Sequence, residues 1–258
     1  MNGVIYDTEH VNCRPVCKAF AKGSLWPVVR MKLFDSEDRR PCFFYGIKRG
    51  GRSALHHSRG RRTFFFCDNG YLGKRWQEGG YYRITRDDWM MPSIAAPDYD
   101  RLAVHGIEVA PWQKGGRHIL VCPPIPEYCK AWSFNGSEWQ DKTINALKQA
   151  TRRPIEISYK WSDPRGKPDD KPLAERLQDC WAVVTHDSNV AIDALIAGVP
   201  VFMTGKHPAV ALGRRHMAQI EEPARPDNRL AFLAMLAANQ WTLEEFAAGV
   251  PQKALGIV

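Results

Sequence analysis

The chain has 258 residues, 44% of them hydrophobic and 25% charged, with a formal net charge of +8. These values fit an ordinary globular protein of one large domain or two of about 100–150 residues, and they exclude disordered and fibrous classes. No run approaches the roughly 20 apolar residues of a membrane helix. The N-terminus MNGVIYDTEH lacks the basic-then-apolar order of a signal peptide, so the expected location is cytoplasmic.

Seven cysteines without a paired pattern suit a reducing compartment rather than a disulfide framework. Cys13 and Cys17 stand one helical turn apart, and Cys122 and Cys129 flank a Pro-rich loop. No CxxC or clustered Cys/His set occurs, so no metal site is expected.

In chain order, GVIYDTEH reads as a strand, and NCRPVCKAFAKG as a helix with Asn12 as its cap and Gly23 as its end. PVVRMKLF and PCFFYGI are strands, KRGGRSALHHSRGRR is a glycine turn into a helix, and TFFFCDNGY is an apolar strand running into a polar turn. From Gly73 to about Lys114 the pattern loosens into a substrate loop or interdomain excursion. It restarts with the strand RHILVCPPI, the helix SEWQDKTINALKQAT capped by Ser137, and the strand RPIEISYK. KPLAERLQD is a short helix, CWAVVTH a strand, SNVAIDALIAG a helix and VPVFMTG a strand, followed by a tail of two short helices. Alternation of this kind predicts parallel sheets with helical crossovers, in an α/β fold with domains at 1–114 and 115–258.

The corner THDSNVAIDALIAGVPVF concentrates the chemistry. Ser188 and Asn189 fall where a strand hands over to a helix, and backbone N–H groups at such an end attract phosphate. His186 and Ser188 can add hydrogen bonds, and Asp193, about one turn further on, can accept both hydroxyls of a ribose. A plain crossover would explain Ser188 and Gly198. It explains less well four polar residues within eight positions at the carboxyl end of a strand, where open α/β sheets hold their ligands.

The segment WAVVTHDSNVAIDALIAGVPVF resembles the donor-binding segment of GT-B-type nucleotide-sugar glycosyltransferases. The resemblance implies two Rossmann-like halves facing a cleft, with parallel sheets flanked by helices. It implies an N-terminal acceptor half and a C-terminal half that takes a nucleoside-diphosphate sugar, a UDP-sugar first of all. Ser188 and Asn189 would then contact the diphosphate and Asp193 the ribose. Lys160, at the end of RPIEISYK, would neutralise the leaving group, and Pro124 would lie beside the same cleft. Relative to larger members of that family the chain is short, and its N-terminal glycine loop is reduced to Gly46, Gly50 and Gly51.

Transfer to a hydroxyl needs a base, and the first half should supply it. Asp68, emerging from an apolar strand, is the leading candidate, with His10 and Glu9 as second choices; a turn role for Asp68 stays open. The basic run holding Lys48, Arg49, Arg52, Arg59, Arg61 and Arg62, with the aromatics of GYLGKRWQEGGYYRITRDDW, can bind a phosphate backbone and stack on an unpaired base. Lys48, Arg49, Arg52, Tyr71 and Arg75 are the expected acceptor contacts. This combination resembles small glycosyltransferases of bacterial viruses, some of which decorate hydroxymethylated pyrimidines, so DNA is the expected acceptor and the host cytoplasm the expected setting. The alternatives are a capsule or surface-polysaccharide transferase, and a non-catalytic nucleic-acid-binding module. No DxD pair stands at a strand end; Mg2+ can accompany the diphosphate but is not required.

Overall fold

The computed structural model describes residues 2–74, 79–160, 163 and 171–257. Its strands in chain order are β1 Val4–Asp7, β2 Val28–Arg30, β3 Cys42–Tyr45, β4 Phe64–Asn69, β5 Tyr82–Arg86, β6 His118–Cys122, β7 Ile155–Ile157, β8 Cys180–Thr185, β9 Val201–Met203 and β10 Gln240–Trp241. They form two sheets, and the chain divides into two units: Met1–Gly106 together with Ala231–Val258, and Ile107–Leu230.

In the first unit the order is β10-β5-β4-β3-β1-β2, with β1 to β4 parallel and β5 antiparallel to both β4 and β10. The runs CFFY and FFFC bury nearly every side chain, as strands covered on both faces do. β5 lies inside the stretch expected to be a loop. Its hydrophobic alternation is erased because Arg83 and Thr85 are buried, with Arg83 donating to the Asn69 carbonyl at 2.8 Å.

Gly23 lies inside the helix Cys13–Ser24 rather than ending it. A side chain there would clash with the Phe246 carbonyl, so glycine serves close approach, and Leu25 in the left-handed region closes the helix. Asn12 sits at the N-cap but its side chain makes no capping bond. The tail contributes helices Arg229–Ala237, Leu243–Ala247 and Val250–Ala254 as well as β10. From Ala231 onward it belongs to the first unit, where Trp241, Phe246, Leu255 and Ile257 complete a core with Phe20, Trp26, Phe43 and Phe65. The expected boundary at 114/115 therefore falls at 106/107, and the tail's assignment to the second half is corrected: its apolar residues are the missing layer of the first core.

In the second unit β7-β6-β8-β9 are all parallel. The helix Gly136–Ala150 is capped by Asn135, which accepts from the Glu138 N–H at 3.0 Å, in place of the expected Ser137. The helix Val190–Ile196 follows β8 and is only seven residues long.

Candidate functional site

Parallel strands send all their carboxyl ends to one edge, so each unit gathers its post-strand residues there. In the second unit that edge carries Pro124 after β6, Lys160 after β7, His186 after β8 and Thr204 after β9.

His186 is the hub. Its ring stacks on Phe134 at 4.4 Å and meets Tyr128 and Trp139 edge-on at 5.7 and 6.1 Å. Its Nδ1 lies 2.8 Å from the Thr204 hydroxyl, which also accepts from the Trp139 indole N–H at 2.7 Å. Burial lowers the His186 pKa, so the ring is neutral at neutral pH. The backbone closes around it as Gly205 N–H donates to the His186 carbonyl at 2.8 Å. A side chain at Gly205 would come within 2.9 Å of the imidazole Nε2. Burial, then the charge and hydrogen bond of Asp187, push the Tyr128 phenol up.

The helix start that follows is tied internally. Ser188 Oγ accepts from the Val190 N–H at 3.3 Å, a local turn bond. Asn189 Oδ1 pairs with His207 Nε2 at 3.1 Å. His207 Nδ1 accepts from the Ala209 N–H at 3.1 Å, so Nε2 carries the ring proton and donates to Asn189. Asp193 is half-buried within the short helix.

An open cavity of about 370 Å³ adjoins this hub through Trp139 and Thr204, and continues past Lys142, Arg215, His216 and Met217. Ser188, Asn189 and Asp193 are not among its lining residues. Arg215 donates to the Thr204 and Gly205 carbonyls at 3.3 Å each, which fixes a cation on the rim. Trp139, Thr204 and Arg215 escaped the sequence reading. Applying the strand-end rule to VPVFMTG as it was applied to CWAVVTH would have found Thr204. Lys160 is exposed and follows β7, which is separated from β8 by β6. Pro124 is buried on this edge, and its carbonyl accepts from the Cys129 thiol at 3.8 Å.

In the first unit the carboxyl edge holds Asp7 to His10 after β1, Gly46 to Gly51 after β3, and Asp68 and Asn69 ending β4. The three base candidates thus share one edge. Asp68 is engaged by the Asn69 N–H at 2.8 Å and by buried Arg83 at 3.2 Å. Glu9 is exposed, takes a left-handed conformation (φ 62°), and pairs with Arg30 at 3.2 Å and Arg14 at 3.6 Å. His10 is half-buried, with Nδ1 accepting from the Asn12 N–H at 3.3 Å.

The basic run is divided by the helix Gly51–Ser58. Exposed Lys48, Arg49 and Arg52 lie at its start, on the carboxyl edge, whereas Arg59, Arg61 and Arg62 lie at its far end. Arg62 is buried over the Phe34 ring at 4.8 Å. Tyr71 is corrected from acceptor contact to core: it is fully buried, donates to the Met90 carbonyl at 2.6 Å and lies under the Arg83 guanidinium. Arg75 falls outside the described residues.

No protein-family profile and no curated protein matches the chain by sequence. Solved structures do match. Over 98% of this chain and 100% of the other, it is similar to a structure titled Thermosulfurimonas dismutans KpsC, beta Kdo 2,7 transferase, with a TM-score of 0.54 at 13% identity. Over 90% of this chain and 89% of the other, it is similar to the beta Kdo 2,4 transferase of the same KpsC, with a TM-score of 0.51 at 12% identity. Neither title refers to DNA, and the expected likeness to DNA-modifying viral enzymes finds no support in them. The chain therefore has a mixed α/β, GT-B-like fold of parallel sheets flanked by helices.

Proposed function

We propose that the protein is a glycosyltransferase that passes a sugar from a nucleotide sugar to a hydroxyl of a capsule or surface-polysaccharide acceptor. The observation that carries this reading is the likeness, along 98% of this chain and 100% of the other, to a beta Kdo 2,7 transferase. The polar hub at the carboxyl edge of the second sheet supports it.

In this reading the second unit takes the donor. The Trp139–Met217 floor receives an apolar face of the nucleotide, while Arg215 and Lys142 absorb phosphate charge as the sugar departs. Ser188, Asn189 and Asp193 are assigned to the donor's polar groups, and Lys160 stays a secondary cation. The first unit takes the acceptor through Lys48, Arg49 and Arg52, whose charge suits an acidic glycan as well as it suits DNA. Asp68, Glu9 and His10 are the candidate bases.

The test is thermal stabilisation and transfer with a panel of nucleotide sugars, including UDP-hexoses and nucleotide-activated Kdo. Acidic oligosaccharides and hydroxymethylated DNA serve as acceptors, with intact-mass detection. A mass gain of one sugar on the oligosaccharide, reduced by Arg215→Ala and by Asp193→Asn, is the expected result. A gain on DNA instead would move the acceptor assignment to nucleic acid. Absence of both stabilisation and transfer across the panel would overturn the enzyme reading.

A further inference from the structure

Asp7, at the carboxyl end of β1, and Cys13 and Cys17, one turn apart on the following helix, bring a carboxylate oxygen and two sulfurs within 4.8 Å of one another. The two sulfurs are 3.6 Å apart. A tetrahedral zinc ion with Zn–S bonds of about 2.3 Å sets its sulfurs about 3.8 Å apart, so the pair already stands at chelating separation.

The surroundings sharpen the point. Cys13 and Cys17 are 1% and 0% exposed and Asp7 is 9% exposed. Asp7 Oδ1 accepts the Glu9 N–H at 2.8 Å, yet no cation pairs with this buried carboxylate among the described residues. Buried carboxylates are ordinarily paired with a cation or bound to metal. Arg14 and Arg30 pair with Glu9 instead.

We propose that Asp7, Cys13 and Cys17 form a binding site for a thiophilic divalent cation of the zinc class. Two thiolates and one carboxylate select zinc or cobalt over magnesium, which takes oxygen ligands. The exchange balances: one divalent ion enters, two thiol protons leave, and the net charge of the site is unchanged. The ion would pin the start of the helix Cys13–Ser24, whose Asn12 makes no capping bond, to the end of β1 beside Glu9 and His10. This assignment stands independently of glycosyl transfer.

The test uses the full chain, reduced and treated with chelator, then titrated with Co2+. The expected result is one equivalent bound with near-ultraviolet thiolate-to-cobalt charge-transfer bands that added Zn2+ bleaches. Cys13→Ser and Cys17→Ser should each diminish the bands, and Cys129→Ser should leave them intact. Asp7→Asn, close to isosteric, should keep the bands but weaken Co2+ binding by at least about tenfold, the scale of losing even an outer partner of a metal site. Wild-type protein that develops no such bands overturns the proposal, as do bands that survive both cysteine substitutions in folded protein. Should the serine variants unfold by circular dichroism, the wild-type and Asp7→Asn titrations decide: unchanged affinity in Asp7→Asn removes the carboxylate from the site.

Discussion

His186 shows how much one side chain can be asked to hold. It fills an aromatic recess, hydrogen-bonds Thr204 through its ring and accepts from the Gly205 N–H through its backbone carbonyl. Burial lowers its pKa, and burial followed by Arg101 lowers that of His105. Both are neutral in the folded chain and become charged near pH 6.5 when unfolded, so the unfolded state binds more protons below that value. Melting temperature should be flat around neutral pH and fall as pH drops below that value, and His105→Gln with His186→Asn should flatten the slope. Glu245 and Glu221, both lowered, add their own loss at lower pH, once their unfolded value of 4.5 is passed. Thr204→Val removes the acceptor of the buried Trp139 indole and should cost about 1–3 kcal/mol in denaturant unfolding. The residue-scale chemistry was half legible. His186 stood out because polar residues cluster after an apolar strand, whereas Thr204 stood alone after β9 and became meaningful only beside Trp139.

At the scale of elements, the tail is held to the first unit by polar hooks as much as by apolar burial. Asn239 is fully buried and makes four hydrogen bonds of 2.8 Å: it accepts from Ser93 and Ile94 N–H and donates to the Ile94 and Met235 carbonyls. Arg101 donates to the Ala237 and Gln240 carbonyls and pairs with Glu245 at 2.7 Å. Asn239→Ala strands two N–H groups and two carbonyls, and should cost roughly 3 kcal/mol or more in the unfolding of this unit. Arg101→Ala should expose residues 240–257 to limited proteolysis before the rest of the unit opens. None of this was readable locally. NQWTLEEF carries a good capping box, Thr242 with Glu245, but nothing in it says which sheet it will join.

At the scale of the molecule, the chain leaves its first unit at Gly106 and returns to it at Ala231. A fragment of residues 107–230 contains its own sheet and core and should unfold cooperatively when expressed alone. A fragment of residues 1–106 lacks Trp241, Phe246, Leu255 and Ile257, and should be insoluble unless residues 231–258 are joined to it or co-expressed. Solubility and a sigmoidal melt of each fragment check both statements. Among the described residues no helix is long and apolar enough to cross a membrane. The net charge of +8 predicts salt-sensitive retention on anionic polymers, with Lys48, Arg49 and Arg52 carrying more of it than Arg62, which is buried.

What the sequence by itself determined is the set of parallel strands and the corner at His186, because hydrophobic runs, strand-end polar residues and the Gly-Val-Pro turn are local signals. Only the tertiary structure decided that Tyr71 is core, that Gly23 serves close approach, and that the tail completes the first unit. Each of these depends on a partner far away along the chain, and periodicity within a short window carries no information about which distant surface a segment will bury.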